Sequence, residues 1–324
     1  MKLIKNIKFK FLFFILLFLI FLSIVKIFQI KEMIVVRENT LILIKKGTTE
    51  FNFLKNIKKQ NINISNFEWF LIKNLFNRNT SLRYGEYFIN KDTNLENFQK
   101  QLYSGKLYFR KFTLIEGSDS RLLKLKLDNT FGLIGDLPRL KEGIYKPDTY
   151  NYKWGDTKVS LLKTMEFEQE KILKKHWPQS KLGNIIKSQE EVLILASIIE
   201  KESKKKEELE LISSVFVNRL RKKMRLQSDV TVAFGLDILG SKLNKKNLKD
   251  KNPYNTYLNY GLPPTPICYP SEAAIKAALN PKKSNYLFFV TDGKGGHRFS
   301  NTYAKHKKNI QQWLKKQKEN KEIK

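Results

Sequence analysis

Glu200 sits in the run Ile194-Leu-Ala-Ser-Ile-Ile-Glu-Lys-Glu-Ser203, at a place a carboxylate should avoid. Ser188 followed by Glu191 three residues later reads as a capping box that starts a helix just before Val192. At about 100° per residue, Val192 to Ile199 is apolar nearly all round, as in a buried helix. Glu200 then projects over Leu193, Ala196 and Ser197, and the two small residues leave space above the carboxylate. A glutamate is rarely buried without a partner, and desolvation would raise its pKa toward the range of a general acid. The competing reading is a glutamate at the wet end of a core helix. Glu202, two residues on, points about 160° away on an ideal helix and reads as a surface or salt-bridging residue. Asp229 and Asp292 read as cap or turn residues before they read as a second catalytic carboxylate.

The elements that must position this helix emerge from pattern and punctuation. Residues 31–110 form a first unit. Val35–Lys45 alternates loosely as a strand, Lys46-Gly47 turns, and helices are expected over Phe51–Lys59, Phe67–Phe76 and Asn94–Tyr103, with a strand near Tyr84–Ile89. Residues 111–187 read as a β-rich connecting region, ending in a helix over Thr157–Lys175 and a polar linker over His176–Lys187. Residues 188–324 form the chemistry-bearing domain. A helix over Glu207–Met224 carries Asn218 and Arg219, and Gln227 and Asp229 stand at another helix start, where Asp229 reads as a possible N-cap. Tyr254-Asn-Thr-Tyr257 leads into Gly261-Leu-Pro-Pro264, a loop stiffened by two prolines. Ser271 caps a helix through Leu279, and two strands, Tyr286–Thr291 and His297–Ser300, flank the glycine-rich hairpin Asp292–Gly296. That hairpin lacks the spacing of a phosphate loop.

The net charge of +30 raises the question of nucleic acid. The cations are nearly all lysine, with ten arginines, scattered along a chain rich in Asn, Ile and Phe, a bias typical of AT-rich coding. With no arginine stripe and no zinc-finger spacing, nucleic acid is not an expected partner; wall polymers and lipid headgroups suit such a surface. Cys268 stands alone, which leaves no intrachain disulfide. His176, His297 and His306 show no i, i+4 pairing, so neither metal nor cofactor is expected.

The N-terminus sets the compartment. Lysines 2, 5, 8 and 10 precede the near-apolar run Phe11–Val25, which Ile27, Phe28 and Ile30 extend past Lys26. With flanking residues snorkelling, the run reaches about twenty residues, enough for a hydrocarbon core. No small-x-small cleavage site comes after it, so an anchor over residues 9–30 is expected rather than a cleaved signal. The leading lysines keep residues 1–8 as a cytoplasmic tail and export the rest, a single pass in the inner membrane.

Taken together, LASIIEKES (195–203), VFVNRL (215–220), MRLQSDVTVAFG (224–235), YNTYLNYGLPPTPI (254–267), AALNP (277–281) and YLFFVTDGKGGHRFSNTYAKH (286–306) resemble the MltG/YceG-type endolytic murein transglycosylases. EGIYKPDTY (142–150) and IEG (115–117) resemble two upstream stretches of that family. The resemblance implies an α+β fold: a transmembrane helix, a LysM-like α/β subdomain over 31–110, then the α+β catalytic domain. It makes Glu200 the catalytic glutamate, peptidoglycan glycan strands the substrate and peptidoglycan synthases possible partners. Asn218, Gln227, Asp229, Tyr254 and Asn255 are the substrate-binding candidates. Val230 stands where the family has Pro, Ser228 where Thr is common, and Thr265 and Ser271 where Gly is usual. A two-carboxylate glycoside hydrolase using Asp229, or a non-catalytic wall-binding scaffold, are the rival readings.

Overall fold

The computed structural model describes residues 2–180 and 182–322. It is a mixed helix and strand protein of two compact units, one made of residues 1–110 and 152–155, the other of 111–151 and 156–324.

The first unit opens with helix α1 (Lys2–Lys31). Its stretch Phe9–Lys31 has a mean hydropathy of 3.0 over its most apolar window, none of it buried, and is the one helix among the described residues long and apolar enough to cross a membrane. At 1.5 Å per residue, 23 residues reach about 34 Å. Strands β1 (Ile34–Val36) and β2 (Thr40–Ile44) replace the single expected strand. Helices α2 (Glu50–Ile57) and α3 (Asn66–Phe76) come next, then β3 (Gly85–Ile89), β4 (Thr93–Asn94) and α4 (Leu95–Ser104). Two small antiparallel sheets form, β1 with β4 and β2 with β3, the latter in register from Thr40↔Ile89 to Ile44↔Gly85. The core gathers Phe53, Trp69 and Phe98, whose rings lie 5.7–6.4 Å apart. Buried Gln99 is satisfied by donating to the Trp69 carbonyl and accepting from Asn77, as a core amide requires.

Strands β5 (Arg110–Thr113) and β6 (Thr149–Tyr152) pair, with α5 (Ser120–Asp128) between them in the chain and α6 (Lys158–His176) after them. The region 111–187 is therefore helical as much as β-rich. It also shares its core with the chemistry-bearing domain: Ile172 and Leu173 of α6 pack with α7 (Gln189–Glu202). The expected polar linker fails for the same reason, since Leu182 and Ile186 are buried in that core.

Every residue from Val192 to Ile199 on α7 is at most 5 % exposed, as the unbroken apolar run requires. At α7's N-terminus Ser188 accepts from Glu191 N–H, while Glu191 reaches past it to the Lys187 N–H, so the box is only half closed. Around α7 pack α8 (Leu209–Arg221), α9 (Asp229–Gly235) and α10 (Glu272–Leu279). The antiparallel hairpin β7 (Phe288–Thr291) and β8 (His297–Ser300) precedes the terminal helix α11 (Tyr303–Glu322).

Candidate active site

The C-terminal turn of α7 carries two glutamates with opposite surroundings. Glu200 is half-buried, and its Oε2 accepts both the Ser271 N–H (3.0 Å) and the Ser271 hydroxyl (2.5 Å). Ser271 is the N-cap of α10 and also takes the Ala274 N–H at 3.2 Å. Glu200 thus fastens one helix end to another. The space expected beside Ala196 and Ser197 is filled by backbone: Ile267 N–H donates to Ser197 Oγ, and Cys268 donates to the Ser197 carbonyl. A polypeptide segment, not a substrate cavity, explains the small residues.

Glu202 lines a pocket of about 300 Å³ with Arg219, Gln227, Asp229, Tyr257 and His306. This reverses the expectation of a surface residue. Ser203 ends α7 in an extended conformation (φ −143°, ψ 140°), so Glu202 stands where the chain leaves the helix. Its Oε1 accepts the Ser228 hydroxyl at 2.5 Å. Burial pushes the Glu202 carboxyl up from its ordinary value; the Ser228 bond pulls the other way, the Asp229 charge adds to the rise, and His297 and Arg219 oppose it. A carboxyl that holds its proton more tightly than an ordinary one is suited to donate it.

The segment facing Glu202 is held from several sides. Gln227 adopts a left-handed backbone (φ 49°) and donates its N–H to the Thr256 carbonyl, while Ser228 N–H donates to Thr256 Oγ1. That conformation, uncommon for a residue with a Cβ, turns the chain into α9. Asp229 is the first residue of α9, not its N-cap; its Oδ1 accepts the Tyr257 hydroxyl at 2.6 Å. Arg219, 7 % exposed, donates to the carbonyls of Leu287 and Leu226 at 2.7 Å each and lies 5.2 Å from the Phe288 ring centre. Its charge stays in the pocket wall, bound through neutral carbonyls. His306 stacks on Phe288 at 5.0 Å, and burial pushes its imidazole down from the ordinary value. His297, whose Nδ1 pairs with Glu208 at 2.7 Å, packs on Phe289 of the same pocket.

Of the candidates read from sequence, Gln227 and Asp229 meet in this pocket, and Glu200, Asn218, Tyr254 and Asn255 do not line it. Asn218 donates to the carbonyls of Ser284 and Tyr286 (2.8 and 3.0 Å), tying α8 to the approach of β7. Asn255 is fully buried and donates to the Asp250 and Leu248 carbonyls while accepting Tyr257 N–H. Both amides stitch backbone. Tyr254 lines a second cavity and bonds Thr265 at 2.8 Å. Sequence reasoning did not bring Glu202, Arg219, Tyr257 and His306 together in one pocket; the available signal was Glu202's place at the last turn before the helix-ending Ser203. Among the described residues no three His, Cys, Asp or Glu side chains form a metal-ligand group.

Comparison with known proteins adds an independent view. Residues 42–312 match the model of the YceG-like family. The endolytic murein transglycosylase of Bacillus subtilis (strain 168) is 34% identical over 174 residues, 53% of this chain and 48% of that protein. The protein of the same name from Streptococcus pneumoniae serotype 2 (strain D39) is 34% identical over 175 residues, 52% of this chain and 31% of that one. The matched stretch thus spans less than half the length of each. A crystal structure of a yceG-like protein from Listeria monocytogenes superimposes with a TM-score of 0.56 at 27% identity, covering 84% of this chain and 98% of that one. With most of its length matched by the family model, this chain belongs to the YceG-like family.

Proposed function

We propose that the protein is a membrane-anchored lytic transglycosylase that cuts within peptidoglycan glycan strands, and that Glu202, rather than Glu200, is its acid–base group. The observation that carries the reading is the Glu202 carboxyl, raised from its ordinary value by burial and lining a polar pocket with Gln227 and Asp229. Protonated Glu202 donates to the oxygen linking MurNAc to GlcNAc, and the bond breaks through an oxocarbenium-like transition state. The ionised carboxylate then takes the proton of the C6 hydroxyl as that oxygen closes on C1, leaving a 1,6-anhydro end. An intramolecular nucleophile has a high effective molarity, so one carboxylate suffices. The Gln227 amide is placed to hold an N-acetyl group or developing charge.

Asp229 in the same pocket favours a second reading, a two-carboxylate hydrolase. The products separate the two. Mass spectrometry of released muropeptides is expected to show anhydro-MurNAc ends, lighter by one water than hydrolytic ends; reducing ends would favour the hydrolase. Helix α1 supplies a single-pass anchor with a cytoplasmic N-terminus in the inner membrane. Protease added to spheroplasts should then digest everything after about residue 30, and a soluble form lacking that helix would mean a cleaved signal. In this reading the first unit holds glycan as a LysM-like module, and tethering beside peptidoglycan synthases lets the enzyme terminate new strands.

A further inference from the structure

Two sequence stretches of this family, 142–150 and 254–267, meet in the second unit outside the Glu202 pocket, to which only Tyr257 of the latter contributes. Glu142, Tyr254, Thr265 and Pro266 line a cavity of about 740 Å³, within the range of ligand sites. Its wall needs close backbone approach. Gly143 has φ +79°, and a Cβ there would lie 2.5 Å from Pro266 Cγ, so only glycine lets the two stretches touch.

The lining carries charge of both signs over an apolar floor. Arg139 and Lys141 stand on one stretch, Glu142 and Glu190 beside them, with Leu173 and Leu193 beneath. Glu142 accepts the Ser120 N–H on Oε1 (2.8 Å), while its Oε2 is buried with no hydrogen-bond partner among the described residues. A buried acceptor left open is costly unless something donates to it. Neutral sugar rings have no use for two cations and two carboxylates; a short peptide with a free carboxylate and a free ammonium does.

The distance fits as well. Helix α9 begins with Asp229 in the Glu202 pocket and presents Phe234 to this second cavity. Five residues of α9 rise about 7.5 Å, the twelve residues of α7 from Glu202 back to Glu190 rise about 18 Å, and an extended peptide covers about 3.3–3.6 Å per residue. A tetrapeptide branch on a sugar held at Glu202, about 13–14 Å long when extended, therefore reaches into this cavity. We propose that this cavity binds the peptide branch of the glycan and makes the protein select peptide-bearing over bare strands. The inference rests on the transglycosylase reading above.

The test uses the full chain in detergent micelles and two substrates: glycan strands bearing tetrapeptide branches, and the same strands stripped by an amidase. The wild type is expected to favour the first in kcat/KM by about tenfold, the scale of one well-placed charged contact. The exposed double change Arg139→Glu with Lys141→Glu should bring that ratio close to one through KM, with kcat held, and Glu190→Lys should lower it part of the way. Free tetrapeptide should inhibit the wild type competitively and the double variant far less. Equal kcat/KM of the wild type on both substrates, or a double variant that keeps the preference with an unchanged melting temperature, would overturn the inference while leaving the cleavage reading intact. Failure of the wild type to cut either substrate would sink the cleavage reading itself.

Discussion

Glu200 and Glu202 lie two residues apart on one helix, yet the tertiary structure gives them different surroundings. Glu200 faces the segment 267–271, which closes over it and gives it two hydrogen bonds from a helix cap. Glu202 faces the Gln227–Asp229 turn, which leaves a pocket open and takes away water without supplying an ion-pair partner among the described residues. Two donors from one helix cap hold the Glu200 side chain still, which suits a staple. A carboxyl with burial but little compensation keeps its proton, which suits an acid. Acidity at this site is therefore decided by what packs opposite, not by the helix that carries it.

The sharpest way to break the comparison is to neutralise each carboxylate in turn. Glu202→Gln is expected to lower kcat by about 10²–10⁴, the loss typical of removing a general acid, with folding retained because the amide is nearly isosteric. Glu200→Gln should keep most activity. Muropeptide release from purified sacculi measures both, and the opposite ranking would return the catalytic role to Glu200.

A smaller effect tests the staple. Ser271→Ala removes both the α10 cap and the hydroxyl donor to Glu200, leaving the backbone N–H bond, and should cost about 1–3 kcal/mol of stability. Urea unfolding monitored by circular dichroism should register this, while KM on glycan stays near the wild-type value. A stable Ser271→Ala protein with poor activity would mean that Glu200's surroundings belong to the active site after all.

The pH dependence sharpens the other side. If Glu202 is the acid proposed above, the alkaline limb of kcat/KM should fall as pH rises through its raised folded-state pKa. Asp229→Asn removes a charge that helps hold the proton, and should move that limb to lower pH. Stability has the same sign. The folded protein holds the Glu202 proton more tightly than the unfolded chain, so this group's contribution is fully present below the unfolded pKa and is lost as pH rises through the folded one. Glu202→Gln should flatten that loss, seen as melting temperatures that vary less as pH rises above the ordinary glutamate range. The smallest effect is expected at Asn218, where Asn218→Ala breaks two bonds to backbone carbonyls, lowers stability by about 1–2 kcal/mol and leaves the pH profile alone.

Much of the frame was legible from the chain alone. The apolar run 192–199 read as a buried helix, Ser188 and Ser271 announced helix starts, and residues 9–30 read as a span, close to the Phe9–Lys31 stretch of α1. Local signals of this kind depend on neighbours within a few residues. Gln227 and Asp229 were also legible as a polar pair at a helix start, and they do meet in the pocket.

What failed had a common physical cause. Helical projection set Glu200 over Ala196 and Ser197 and Glu202 on the surface, but a helix that is apolar all round names no outward face, so the pocket at Glu202 could not be foreseen. The small residues Ala196 and Ser197 looked like room for a ligand, but space beside a helix is equally room for another stretch of backbone, and residues 267–268 take it. Asn218 and Asn255 looked like sugar-binding amides, and each instead satisfies carbonyls from segments distant in the chain or within its own turn. Residue type and local order thus determined the helices, the caps and the supply of carboxylates. Which carboxylate loses its water, and which amide is left with a free hand, was decided only by the long-range packing of segments far apart in the chain, because desolvation is a property of the whole surroundings and not of any one stretch.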